Sequence, residues 1–241
     1  MPLLSRLYNV IVDRTREWRI RDVVRELRRT EPSRATILPL VVRLRDAWGN
    51  TGWSADLGFL EAVVVEGLES SGPFLECGAG LSTVILGVIA ERKGAVVWSL
   101  EQDERWSLAM RARLVALGLG NVHIVYAPLE IKDGAAWYAF DDSSMPRAFP
   151  TIFCDGPSVR RSQWPEAVYR GWRTPLVAEL RRRGISFGSI VLDDADDRRC
   201  GALIDAWRHE GLLADRVETQ FGPHVVARQP LVEPTTRDVP S

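Results

Sequence analysis

A glycine-rich turn directly after a short apolar run constrains this chain more than any other feature. Residues 74–80 read FLECGAG, and a helix-like apolar segment follows from Ser82 and Thr83. Gly78 and Gly80 permit a tight turn and allow a ligand to approach the backbone closely. Unpaired N–H groups at the start of the following helix attract an anionic group. The segment therefore predicts a strand, a ligand-binding turn and a helix, in that order.

An acidic residue stands at the end of the next apolar run. Residues 95–101 read AVVWSLE, so that Glu101 follows Gly80 by 21 residues. A carboxylate at the end of the second strand can accept hydrogen bonds from both hydroxyls of a ribose. A glycine turn by itself is often only a turn. The combination of strand, turn, helix, strand and acid predicts a nucleoside or nucleotide site.

Strand-like and helix-like segments alternate through the rest of the chain. Apolar runs predict strands at 74–80, 95–101, 121–127, 151–157 and 189–196, and helical periodicity predicts helices at 82–92, 104–117, 165–183 and 200–210. Such alternation is typical of a parallel sheet with helices on both faces, a Rossmann-like doubly wound α/β fold. Two further runs, 217–221 and 224–228, flank Gly222-Pro223 and predict a closing hairpin that adds an antiparallel last strand.

Apolar residues at helical spacing also precede the glycine turn. The pattern predicts one or two amphipathic helices in residues 1–30 and a further helix at 36–48. We expect residues 1–55 to form a lid or a homodimerisation surface, and residues 56–230 to form the ligand-binding domain. The polar residues 231–241 are expected to be a loose tail.

The overall composition argues against several classes of partner. Its 31 basic and 32 acidic residues give a formal net charge of -1, so no strong field favours nucleic acid or anionic lipid. No apolar run is long enough to span a bilayer. The three cysteines, Cys77, Cys154 and Cys200, form no disulfide framework and fit free thiols in a reducing, cytoplasmic setting.

Two residues of the glycine turn bear on which nucleoside is bound. The dinucleotide fingerprint requires a third glycine where Thr83 stands. Glu76 precedes the turn and suits a ligand that carries an ammonium group. S-adenosylmethionine combines an ammonium, a carboxylate and a ribose, which Glu76, Ser82 and Glu101 would contact respectively. The alternative for Glu76 is a carboxylate that orients the turn by accepting hydrogen bonds from backbone amides.

The two segments LECGAGLST and SLEQD resemble the first and second motifs of the class I S-adenosylmethionine-dependent methyltransferases. A narrower similarity is to small bacterial methyltransferases, and it rests on Ala127-Pro128-Leu129, Trp137-Tyr138, Asp155-Gly156-Pro157 and Asp193-Asp194-Ala195. The resemblance implies a seven-stranded sheet with a reversed last strand. It also implies that adenine packs near Gln102 and the segment 127–129, with Pro128 at its centre.

Three acids follow the fourth and fifth predicted strands. Asp155 follows one strand, Asp193 and Asp194 follow the other, and neighbouring parallel strands end at one edge of a sheet. Carboxylates brought together repel one another unless a positive group joins them, and Mg²⁺ or Ca²⁺ prefers such oxygen ligands. The arrangement resembles that of catechol-type O-methyltransferases. Here Asp194 replaces the asparagine of that pattern, and no lysine base follows Asp155.

Three roles for these acids remain open. They hold a divalent metal, or Asp155 or Asp193 acts as a metal-free general base that also contacts the substrate, or all three are structural and cap the following helices or pair with Arg198 and Arg199. Asp155 is also expected to contact the cofactor. His224, at the start of the last predicted strand, is a further candidate base, although an ordinary surface histidine is the simpler interpretation. The arginine-rich segment 160–173 is either a binding surface for an acidic substrate or a solvated helix face.

These features together predict an enzyme that methylates a small molecule at oxygen. Two other classes of function stay open. A dinucleotide-dependent oxidoreductase would use the same strand and turn, although Thr83 and the acidic strand ends argue against it. A non-catalytic binding module would keep the S-adenosylmethionine site without turning over any acceptor.

Overall fold

The computed structural model describes residues 2–49 and 54–230, with side chains from residue 15 onward. The predicted tail at 231–241 therefore lies outside the described residues, as do the apolar side chains at the start of the first helix. Nine strands are described: β1 Phe74–Cys77, β2 Val97–Glu101, β3 Val122–Tyr126, β4 Leu129–Lys132, β5 Ala135–Tyr138, β6 Ala148–Cys154, β7 Ser186–Leu192, β8 Leu213–Val217 and β9 His224–Arg228.

Seven of these strands form one sheet in the order β3-β2-β1-β6-β7-β9-β8. The five strands from β3 to β7 are parallel to their neighbours, whereas β9 runs antiparallel to both β7 and β8. This confirms the predicted Rossmann-like, mostly parallel, seven-stranded fold with a reversed last strand. The order changes direction between β1 and β6, which is where ligands bind in open sheets of this kind.

Helices cover both faces of the sheet. The described helices are α1 Pro2–Arg29, α2 Arg34–Trp48, α3 Leu57–Glu69, α4 Leu81–Arg92, α5 Glu104–Leu117, α6 Glu166–Gly171, α7 Pro175–Arg182 and α8 Cys200–His209. The boundaries of α5 have a clear local cause. The side chain of Asp103 accepts a hydrogen bond from the Trp106 N–H at 2.9 Å, and Gly118 ends the helix in the left-handed conformation.

The core lies in two layers, one on each side of the sheet. One layer is formed by α1 to α5 and includes Ile20, Leu44 and Val84, all nearly inaccessible. The other is formed by α7, α8 and the small hairpin of β4 and β5, and includes Trp137 and Trp207. Each fully buried apolar side chain of this size contributes roughly 1.5–3 kcal/mol to folding. The apolar stripe of the N-terminal helices is therefore covered, from residue 20 on, by the core of the same chain.

The hairpin of β4 and β5 was not predicted. Its turn is Asp133-Gly134, and both residues have positive φ angles, of 49° and 79°. Asp-Gly between two short strands is a strong hairpin signal because both central positions of a type I′ turn require positive φ. The sequence thus carried the signal, but its strands have only four residues each and lack clear alternation.

Two predicted elements were wrong in detail. The helix expected at 165–183 is split into α6 and α7, because Pro175 has no N–H to continue a helix and Trp172 adopts a φ of 34°. The strand expected at 217–221 lies earlier, at Leu213–Val217, and residues 218–221 belong to the turn of the hairpin. Within it the Thr219 hydroxyl donates to the Gly222 carbonyl at 2.9 Å, so the partner strand of β9 is β8.

None of the described helices is both long and apolar enough to cross a membrane.

Candidate active site

A cavity of about 730 Å³ opens at the carboxyl ends of β1, β2, β6 and β7. Segments that directly follow these four strands form most of its wall, namely 78–81, 101–103, 155–156 and 193–194. The end of α2 and the residues before α3 close another side with Trp48, Ser54, Ala55 and Asp56. The cavity thus lies at the switch point of the sheet, where the sequence placed the ligand.

Gly78 holds the turn after β1 against the turn after β6. Its φ is +96°, and a Cβ atom there would lie 2.8 Å from the backbone nitrogen of Gly156. A larger residue would force the two turns apart. Gly80 has no atom within 4 Å of a Cβ placed on it, so this part of the turn faces open space. The pair therefore forms a backbone cradle at the floor of the cavity.

Glu101 ties the cradle to the end of β2. Its carboxylate accepts hydrogen bonds from the N–H groups of Ala79 at 3.1 Å and Asp103 at 2.7 Å. The side chain is 7% exposed and lines the cavity, and burial raises its pKa above the usual range. Each carboxylate oxygen can accept a further hydrogen bond, so the group can accept hydrogen bonds from the hydroxyls of a ligand.

Glu76 lies beneath the cradle and is completely buried. The hydroxyls of Ser82, Thr83 and Ser99 each donate to its carboxylate at 2.6 Å. Burial raises its pKa to about 7, although these three hydrogen bonds act in the opposite direction. Thr83 also accepts from the Gly80 N–H at 2.8 Å. The network anchors the turn to the start of α4.

This network bears on the predicted direct contacts of Glu76, Ser82 and Thr83 with a ligand, which stay predictions. None of the three lines the cavity, because the two hydroxyls point at the buried carboxylate and not at open space. The alternative weighed for Glu76, orientation of the turn, matches the geometry, although the donors are side-chain hydroxyls and not backbone amides.

The two residues predicted to lie beside adenine, Gln102 and Pro128, have different surroundings. Gln102 lines the cavity, and its amide exchanges two hydrogen bonds with the backbone of Ser158, at 2.8 and 3.0 Å. Pro128 does not line the cavity. Its carbonyl accepts from the Ala139 N–H at 2.8 Å, because the chain turns away after β3 into the hairpin that the sequence did not predict.

The three acids after β6 and β7 do come together, and Arg173 joins them. Its Nη2 atom lies 2.8 Å from Asp194 Oδ2 and 3.8 Å from Asp155 Oδ1. Its Nη1 atom donates to the Asp193 carbonyl at 3.1 Å. The Arg173 side chain is only 2% exposed. A buried guanidinium therefore supplies the positive charge that the sequence analysis assigned to a metal or to Arg198 and Arg199.

The predicted Mg²⁺ or Ca²⁺ site is not formed by the described residues, among which no group of three acidic, histidine or cysteine side chains has suitable geometry for a metal. Both oxygens of Asp193 are already used by backbone N–H groups, of Asp56 at 3.1 Å and Asp194 at 2.8 Å. Asp194 is turned toward Arg173. Backbone amides thus satisfy the oxygens of Asp193, and a cationic side chain pairs with Asp194, two of the three acids that were expected to bind the ion.

The candidate bases Asp155 and Asp193 both line the cavity but differ in exposure. Asp155 lines it with a side chain 29% exposed, and burial, opposed by Arg173 and assisted by Asp194 and Asp56, raises its pKa to about 6. Asp193 is 2% exposed, and burial raises its pKa well above the usual range. Asp155 is therefore the acid placed to exchange a proton with a ligand.

His224 does not line the cavity. It is 6% exposed and burial lowers its pKa, so it lies inside the protein and not on the surface. The structure therefore does not place His224 at the cavity, and its catalytic role stays a prediction. The strand that carries it is covered by α3, where Gly58 allows close approach to the Gly222 backbone.

The arginine-rich segment contributes one residue to the cavity, Arg160. Arg161 and Arg170 both pair with Glu166, at 2.8 and 2.9 Å, and Arg173 is buried. Two residues of the cavity wall were not among the predicted site residues. Trp48 lies before the predicted domain boundary at residue 55, and Asp56 directly follows it. The segment 160–173 contains four arginines, and its sequence does not show that Arg173 is the one that joins the strand-end aspartates.

No family model matches the sequence, and no curated protein matches it. Solved structures do match. The SAH-bound methyltransferase PaMTH1 of Podospora anserina has a TM-score of 0.54 and 14% identity, over 83% of this chain and 89% of that chain.

Two further structures show the same fold. The METTL16 methyltransferase domain has a TM-score of 0.52 and 11% identity, over 81% of each chain. The human methyltransferase 10 domain containing protein has a TM-score of 0.50 and 12% identity, over 80% of this chain and 93% of that chain. At such low identity these similarities show that the chain has a class I methyltransferase fold.

Proposed function

We propose that this chain is an S-adenosylmethionine-dependent methyltransferase that acts on an oxygen atom of a small molecule. The observation that carries the proposal is a single cavity in which a glycine cradle, the carboxylate of Glu101 and the accessible carboxylate of Asp155 face one another. The methyltransferase fold of the matching structures, one of them bound to SAH, supports the same assignment.

The residues present fit the methyl donor at two points. A Cβ at Gly78 would collide with the neighbouring turn, and Gly80 is open to the cavity, so the backbone of this turn can take the amino-acid end of a ligand. Glu101 is rigidly held by two backbone N–H groups and would accept the hydroxyls of a ribose. When bound, the sulfonium supplies an electrophilic methyl group.

Asp155 has the properties of a general base for an oxygen acceptor. Its pKa of about 6 leaves it mostly ionised at neutral pH yet basic enough to accept a proton from a hydroxyl as that oxygen becomes bonded to carbon. Displacement at the methyl carbon requires the acceptor and the sulfur to be in line. Trp48 and Ser54, both in the wall, support a lid role for the segment 1–55. A homodimer surface on that segment remains a second proposal.

Ligand binding and turnover test the proposal separately. We expect S-adenosylhomocysteine, but not NAD, to raise the melting temperature, and Glu101→Gln to weaken its binding by about 10-fold or more because charged hydrogen bonds are lost. Glu104→Gln, at an exposed neighbour, is the matched control. Stabilisation by NAD alone would favour the oxidoreductase.

Turnover is measured as release of S-adenosylhomocysteine in the presence of a panel of small hydroxyl compounds. Asp155→Asn should keep cofactor binding and lose most of the activity. Binding with no turnover of any acceptor would favour the non-catalytic module.

A further inference from the structure

Tyr138 ends β5, and its side chain reaches the floor of the cavity from below. The residue is completely buried, yet it forms part of the cavity wall. A Cβ atom on Gly156 would lie 2.2 Å from the tyrosine hydroxyl oxygen. Only a glycine at that position leaves room for the hydroxyl. The same Cβ would lie 2.9 Å from the Gly78 Cα atom, so the hydroxyl lies where the two turns meet.

The hydroxyl of Tyr138 has no hydrogen-bond partner among the described residues, although almost none of its surface is exposed to solvent. A buried polar group without a partner destabilises a protein, and such groups are rare unless something else satisfies them. Burial raises the pKa of Tyr138 well above its ordinary value, so the hydroxyl keeps its proton and is a donor at any physiological pH. Glu101 is close enough to contribute to that rise.

We propose that the Tyr138 hydroxyl donates a hydrogen bond to a ribose oxygen of the bound methyl donor and is a specificity residue for its nucleoside part. The inference rests on the proposed function and adds a contact from the floor of the cavity. Glu101 can only accept hydrogen bonds while it is ionised. Tyr138 supplies the complementary donor, so that a ribose meets both kinds of group between Gly78 and Gly156.

The proposal predicts effects of opposite direction on the free protein and on the complex. Tyr138→Phe removes the hydroxyl and keeps the ring. Because the hydroxyl is unpaired without ligand, the melting temperature of the ligand-free variant should equal or exceed that of the wild type. The Kd for S-adenosylhomocysteine, measured by calorimetry, should rise about five- to tenfold, as expected for one hydrogen bond.

Tyr126→Phe is the matched control, because Tyr126 lies on β3 and is 41% exposed. It should change neither quantity. If Tyr138 were only structural, Tyr138→Phe would lower the melting temperature of the free protein and leave the Kd unchanged, and this result would overturn the proposal.

A second ligand separates the two ends of the donor. 5′-Methylthioadenosine has the ribose and adenine but no amino acid. We expect Tyr138→Phe to weaken its binding by the same factor as that of S-adenosylhomocysteine. A loss confined to S-adenosylhomocysteine would overturn the assignment to the ribose. If the wild type bound neither compound, the proposed function itself would fail, whereas equal binding by wild type and variant would overturn only the role of Tyr138.

Discussion

The Arg173 guanidinium lies 2.8 Å from the Asp194 carboxylate, and both belong to segments that meet only in the folded chain. Arg173 follows α6, and Asp194 follows β7 with a φ of 58°. The same guanidinium donates to the backbone carbonyl of Asp155 and stacks 4.4 Å over the ring of Trp172. One buried cation therefore joins the ends of β6 and β7 beside the cavity.

The first prediction concerns removal of this cation. Arg173→Met keeps an unbranched side chain of similar volume but leaves the neighbouring carboxylates unpaired. We expect a loss of about 3–5 kcal/mol of unfolding free energy, as for other broken buried ion pairs, measured by urea denaturation. Arg170→Met is the control, because Arg170 is 75% exposed and pairs with Glu166 at the surface. Equal stability of the two variants would contradict the role given to Arg173.

A second prediction concerns divalent metals. Because Arg173 pairs with Asp194 and backbone amides satisfy Asp193, we expect EDTA to leave the affinity for S-adenosylhomocysteine and the rate of methyl transfer unchanged. The measurement compares EDTA-treated protein with the same sample after Mg²⁺ or Ca²⁺ is added back. Recovery of a lost rate by either ion would contradict the expectation.

The third prediction is the pH dependence of turnover. A general base acts only when ionised, and the pKa of Asp155 is raised to about 6, so kcat/KM should rise through pH 6 and level off above pH 7. Asp155→Asn should remove both the rise and most of the rate. Asp205→Asn, at a position 68% exposed on α8, should retain the wild-type profile. A flat wild-type profile between pH 5 and pH 7 would argue against Asp155 as the base.

The fourth prediction links Glu76 to stability. Its pKa is raised from 4.5 to about 7 by burial, so the folded state binds this proton more tightly than the unfolded state. The corresponding stability is present below pH 4.5 and is lost as the pH rises through 7, by about 3 kcal/mol. The negative charge of the neighbouring Asp155 also raises the pKa of Glu76.

Urea denaturation at pH 5 and pH 8 measures this dependence. Glu76→Gln cannot titrate, so the stability of the wild type relative to this variant should fall between the two pH values. Glu69→Gln, at the exposed end of α3, should follow the wild type. A parallel response of all three proteins would show that Glu76 does not carry the effect.

The parts of this structure that follow local rules could be predicted from the sequence. The turn at Gly78 and Gly80, the acid at Glu101 and the alternation of strands and helices each depend on a few consecutive residues. These features were sufficient to predict the fold and the position of the cavity. The three strand-end aspartates were also expected to meet, because parallel strands end at one edge.

What could not be predicted depends on side-chain partners far apart in the chain. Nothing in the sequence distinguishes Arg173 from its neighbouring arginines, since only folding places it beside Asp194. Glu76 was predicted to contact a ligand because it lies two residues before Gly78. In the structure, its carboxylate instead accepts hydrogen bonds from the buried hydroxyls of Ser82, Thr83 and Ser99. Tyr138 belongs to a hairpin whose turn signal was overlooked, and its contact with Gly156 depends on that hairpin.

The last prediction tests the cradle itself. Gly78→Ala places a Cβ atom at a residue with a φ of +96° and 2.8 Å from a backbone atom of the opposing turn. The strained conformation alone costs about 1–3 kcal/mol, and the turns must also separate. We expect a lower melting temperature and at least a tenfold weaker affinity for S-adenosylhomocysteine. Gly120→Ala is the control, since its Cβ would meet no atom within 4 Å.

Gly80→Ala separates the effect of the cradle on ligand binding from its effect on the stability of the free protein. A Cβ there also has no atom within 4 Å, and the residue needs no positive φ, so the melting temperature of the free protein should match that of the wild type. The added methyl group occupies space in the cavity wall, and binding of S-adenosylhomocysteine should weaken. If Gly80→Ala bound the compound as tightly as the wild type, the ligand would not approach the backbone at this turn, and the cradle would be a structural turn only.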